Sequence, residues 1–83
     1  MKANVLIRLN EDVQDAAGSV LKQRLVELGY PEIRSARIGR VIELDIESAD
    51  QEGTRVRIGQ MCDKLLINAD VENFEVLFEE TKS

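Results

Sequence analysis

No histidine and no tryptophan occur among the 83 residues, and cysteine and proline occur once each. Without histidine, neither a Ser-His nor a Cys-His nucleophile–base pair can be assembled. One cysteine with no histidine cannot supply a zinc site of any common spacing. A lone cysteine also closes no disulfide within the chain, so a reducing, cytoplasmic setting is expected. No apolar run approaches the ~20 residues that a membrane span requires. The start, Met1-Lys2-Ala3-Asn4-Val5-Leu6-Ile7-Arg8, is interrupted by arginine too early for a signal peptide, and none is expected. The five glycines do not cluster, and no linker, repeat or low-complexity segment breaks the chain. A single domain over residues 1–83 is therefore predicted. Eleven basic against sixteen acidic residues give a net charge of -5. That sign disfavours nucleic acid as the main partner, because a phosphate backbone is repelled.

What is present reads as alternating strands and amphipathic helices. Ala3, Val5, Ile7 and Leu9 share one face of a first strand, with Asn4 and Arg8 opposite and Leu6 on the polar side. Asp15 is placed to cap a helix that runs to about Leu28, with Ala17, Leu21, Leu25 and Leu28 as its core stripe. Gly29 and Pro31 end it. From Ile33 to Glu47 the pattern predicts two strands hinged at Gly39. The apolar parity of Ala36 and Ile38 continues through Ile42, Leu44 and Ile46, which favours a three-residue loop, Gly39-Arg40-Val41, or a glycine-bent strand. Asp50 caps a second predicted helix reaching about Asn68, whose stripe is Thr54, Ile58, Met61, Cys62, Leu65 and Leu66. Phe74, Val76 and Phe78 face inward on a last strand, with Leu77 on its outer side. The order β-α-β-β-α-β predicts a ferredoxin-like α+β sandwich, two helices covering one face of a four-stranded antiparallel sheet.

Three groups of residues bear on function. Leu6, Leu77 and the nearby Val41 fall on the sheet face without helices, which makes that face a candidate for self-association, although single surface leucines are ordinary. Arg34, Arg37, Arg40, Arg55 and Arg57 gather mid-chain, against Asp70, Glu72, Glu75, Glu79 and Glu80 near the end. Arg37 and Arg40, flanking Gly39, are candidates for docking an acidic partner, since a guanidinium makes bidentate contacts that an ammonium cannot. Cys62, on a core stripe beside Met61 and Leu65, reads as a small core hydrophobe. No glycine-rich loop leads into a helix with a lysine, so phosphate binding is weakly signalled. No residue rises to a catalytic or metal-binding candidate.

Asp15-Ala16-Ala17-Gly18-Ser19, Leu28-Gly29-Tyr30, Arg37-Ile38-Gly39-Arg40 before Val41, and Met61-Cys62-Asp63-Lys64-Leu65-Leu66-Ile67-Asn68 resemble, in order and spacing, the PurS family, the small subunits of phosphoribosylformylglycinamidine synthase. The resemblance covers Val5 to Phe78. It departs at Ala16, where the family usually has proline, and at Arg40, where lysine is common. It implies a cytoplasmic, non-catalytic subunit that forms dimers or higher oligomers. Its implied partners are a glutaminase subunit and a large synthetase subunit. ATP, magnesium and glutamine would be used by those partners, with no cofactor in this chain. Its implied role is support of assembly and of ammonia transfer in de novo purine synthesis. The rival classes are a small ligand-binding regulatory module and an RNA-binding sandwich. The second would need aromatics on the open sheet face, where none is predicted.

Overall fold

In a computed structural model that describes residues 1–79, the order is β1 (Lys2–Leu9), α1 (Ala16–Glu27), β2 (Arg40–Asp45), α2 (Gln51–Met61) and β3 (Glu72–Glu79). A π-helical turn, Cys62–Leu66, continues α2. Glu80, one of the acidic residues named above, lies outside the described residues. The sheet has three antiparallel strands in the order β2-β1-β3. Central β1 carries alternating residues, and its odd positions meet core partners on both sides: Val5 stands opposite Ile42 and Val76, and Ala3 opposite Leu44 and Phe78. Ala3, Val5 and Ile7 are consequently buried, and Ile58 and Cys62 of the helical layer close over them.

The four-stranded ferredoxin-like sheet is corrected to three strands. Residues 33–38, expected as a strand, join no ladder. The hairpin about Gly39-Arg40-Val41 does not form either, because Arg40 and Val41 already belong to β2, paired with Ile7 and Leu6. Alternation reports which residues share a face, but a strand exists only where a neighbour supplies hydrogen bonds. The residues that were to turn the hairpin are themselves strand, so residues 33–38 are not folded back onto the outer edge of β2, which stays unpaired among the described residues. Side chains hold that segment in place instead, as described below.

Both predicted caps form. Asp15 accepts from the Gly18 amide at 2.9 Å, and Asp50 from that of Gly53 at 3.1 Å, satisfying N–H groups that have no partner in a first helical turn. Gly29, at φ 105°, ends α1 in a backbone region that favours glycine. The stripes fare differently. Thr54, Ile58 and Cys62, four residues apart, are buried as expected, whereas Met61 is surface and Leu65 is 83% exposed. The wider turn explains Leu65: the Ile67 amide bonds back to the Cys62 carbonyl at 3.1 Å, five residues away. That extra residue moves the inward position past Leu65 to Leu66 and Ile67. The stripe of α1 is not in the core. Ala17, Leu21 and Leu28 are exposed and Leu25 is half-buried.

Candidate interaction site

The two arginines flanking Gly39 sit at opposite ends of a short bend and are both engaged within the chain. One terminal nitrogen of Arg37 donates to the carbonyls of Asn10 (2.9 Å), Val13 (3.1 Å) and Leu9 (3.4 Å), gathering the turn between β1 and α1. Asp15 completes this brace. One carboxylate oxygen caps α1 and the other accepts from the Ile38 amide at 2.7 Å. These backbone donors, that of Ile38 first, hold the Asp15 carboxyl below its ordinary pKa. Between the two arginines Gly39 passes tightly over β1, and a side chain there would collide with the Ile7 carbonyl oxygen.

Arg40 points the other way. Its terminal nitrogen donates to the Leu66 carbonyl at 2.7 Å and to both carboxylate oxygens of Glu72, at 3.1 and 3.4 Å. Glu72 also accepts from the Asn68 amide at 2.7 Å. That bond foremost, with Arg40 beside it, lowers the Glu72 pKa. Arg40 thus ties β2 to the end of the π-helical turn and to the start of β3. The sequence showed the arginines but not these partners: carbonyl acceptors carry no sequence signal, and Glu72 is one carboxylate among many.

Leu6, Val41 and Leu77 come together as expected on the sheet face turned away from α2. Leu6 stands opposite Val41, and Leu77 opposite Asn4 on the neighbouring strand. Val41 and Leu77 are exposed and Leu6 is half-buried. Glu43, Asp45, Glu75 and Glu79 surround them. Arg8 pairs with Glu75 at 3.4 Å, and Asn4 donates to Glu79 at 3.2 Å. Next to Leu6 and Val41, a shallow groove of about 280 Å³ is bordered by Arg37, Ile38 and Arg40. The face therefore offers an apolar centre, an acidic margin and an arginine-lined end.

Chemistry is scarce elsewhere. Cys62 is buried, and desolvation pushes its thiol pKa up, away from the reactive thiolate. Among the described residues, no group of three or more His, Cys, Asp or Glu could hold a metal ion. No described helix is long and apolar enough to cross a membrane.

The class the geometry defines is a small α+β domain whose distinctive surface is an apolar patch ringed by charge, the kind of surface that marks protein–protein contacts. A family model described as PurS, phosphoribosylformylglycinamidine (FGAM) synthase, matches residues 2–80. The chain belongs to this family. It is 37% identical over 79 residues to the phosphoribosylformylglycinamidine synthase subunit PurS of Bacillus subtilis, covering 95% of this chain and 93% of that one. A crystal structure of PurS from Methanocaldococcus jannaschii superposes with a TM-score of 0.86 at 26% identity, over 98% of both chains. A chain of the PurLQS structure from Thermotoga maritima superposes with a TM-score of 0.83 at 26% identity, over 92% of this chain and 93% of that one.

Proposed function

We propose that this chain is the non-catalytic small subunit of an FGAM synthase complex. It joins a glutaminase subunit to an ATP-dependent synthetase subunit and assists the passage of ammonia between them during purine synthesis. The observation that carries the reading is the nearly full-length agreement with a chain of the T. maritima PurLQS structure. The reaction's hard chemistry, with ATP, magnesium and glutamine, falls to the partner subunits. This chain contributes surface: the apolar centre formed by Leu6, Val41 and Leu77, and beside it the groove bordered by Arg37, Gly39 and Arg40. A cytoplasmic location follows from the pathway.

Two rates measured on a reconstituted complex test the proposal. Synthesis driven by free ammonia needs only the synthetase site and is expected to continue when this protein is left out. Synthesis driven by glutamine requires the two sites to be coupled and is expected to collapse. Equal loss of both rates would make the chain part of the synthetase site, and loss of neither would remove it from the complex.

A further inference from the structure

A second cleft, of about 490 Å³, lies between residues 11–15, the first turns of α1 and residues 34–37. Small-molecule sites span roughly 300–1,000 Å³, so its size admits a metabolite. Its walls are fixed to one another. Arg37 joins them through the carbonyls of Asn10 and Val13, at 2.9 and 3.1 Å. Asp15 does the same through the Ile38 amide at 2.7 Å, and Gly18 sets α1 directly on the Ala36 carbonyl. A cleft braced in this way has little freedom left to lose when a ligand enters.

Asp15 and Arg37 are committed to that brace, but the other four charged side chains of the cleft are not. Glu11, Asp12 and Arg34 are exposed and Lys22 is half-buried. Among the described residues the ion pairs are Met1–Asp45, Arg8–Glu75 and Arg40–Glu72. Two carboxylates and two cations therefore share one cleft without meeting. Lys22 has given up part of its contact with water and gained no carboxylate for it.

The balance of charge selects the ligand. An inorganic anion would be drawn to Lys22 and Arg34 but repelled by Glu11 and Asp12, and a metal ion would meet the reverse. Among the described residues, no group of three or more His, Cys, Asp or Glu could hold a metal there. A quaternary ammonium would need aromatic faces, and none lines the cleft. A compact zwitterion with a primary ammonium suits both pairs. We propose that the cleft binds a free α-amino acid, its carboxylate held by Lys22 and Arg34 and its ammonium by Glu11 and Asp12. The guanidinium of Arg34 can grip a carboxylate through two parallel bonds. Ser19 and Ser35 also line the cleft, and their hydroxyls, which donate and accept, favour a ligand with a polar side chain. Affinity is modest, because most of these charged groups stay in contact with water.

Binding of this kind requires no partner subunit and is read on the purified full chain by amide chemical shifts. L-glutamine, whose side-chain amide both donates and accepts, is the probe. It is expected to give saturable shifts at residues 11–15 and 34–37 at tens of millimolar or below. Acetate, methylammonium and inorganic phosphate, each carrying one sign, are expected to bind at least tenfold more weakly. Two variants give independent readings: Lys22→Ala with Arg34→Ala, and Glu11→Gln with Asp12→Asn. Each is expected to raise the dissociation constant tenfold or more and to leave the far-ultraviolet signal unchanged, since none of the four side chains makes an ion pair in the fold. Absence of saturable shifts at these amides would overturn the inference. So would phosphate or acetate binding as tightly as L-glutamine, which marks a site for anions only, or an affinity for L-glutamine that survives both double variants.

Discussion

Gly18→Ala sets two effects of known size against each other. Alanine within a helix is favoured over glycine by about 1 kcal/mol, so on propensity alone the change should stabilise α1. The structure gives the opposite sign. A Cβ at position 18 would fall inside the Ala36 carbonyl oxygen and lie 2.9 Å from an Asp15 carboxylate oxygen. A backbone carbonyl cannot swing aside as a side-chain tip can, so residues 33–38 would have to move off the helix. Overpacking of this kind costs about 1–3 kcal/mol. That offsets the propensity gain and leaves a net loss on the order of 1 kcal/mol. It should also strip protection from the Ile38 amide, which Asp15 accepts at 2.7 Å. Urea denaturation gives the first quantity, and hydrogen exchange at Ile38 the second. A variant more stable than wild type, with Ile38 equally protected, would refute the packing of α1 on its following segment.

Three further outcomes follow from the core and the arginine ties. Cys62→Ser places a hydroxyl where the thiol is 0% exposed and should cost about 1 kcal/mol or more in urea denaturation, while glutamine-dependent synthesis by the complex persists at permissive temperature. Ile58→Ala empties a fully buried site over β1 and should cost about 2–5 kcal/mol by the same assay. Arg40→Ala should lower the urea midpoint at pH 7, since Leu66 and Glu72 lose their shared donor. Because the fold depresses the Glu72 pKa below its usual 4.5, the stability that group contributes is complete above that value and is lost as pH falls through the folded-state pKa. The gap between Arg40→Ala and wild type should therefore narrow in acid; a gap that is constant from pH 7 down to pH 3 would exclude the Glu72 contact as its source.

The amino-acid sequence by itself determined the local features. Asp15 and Asp50 cap their helices and Gly29 ends the first, because each acts on backbone groups within a few residues. Alternation placed Ala3, Val5 and Ile7 inside, and Leu6 and Leu77 together on the open face, because strand geometry alone sends successive side chains to opposite sides. Four spaced motifs were enough for the family. Only the tertiary structure decided what depends on a distant neighbour. The alternating residues 33–38 are not a strand because Arg40 and Val41, expected as the turn, pair with β1, and nothing folds 33–38 back onto the edge of β2. An apolar stripe on α1 specified that something should cover it, without specifying that its own sheet would not. Leu65 faces outward because one wide turn shifts the phase of a helix that otherwise keeps its period. Arg37 and Arg40, candidates for docking an acidic partner, also bond within the chain, to carbonyls and to a carboxylate 32 residues away. Backbone oxygens accept alike in every residue, so which of them an arginine reaches is settled only when the chain has folded.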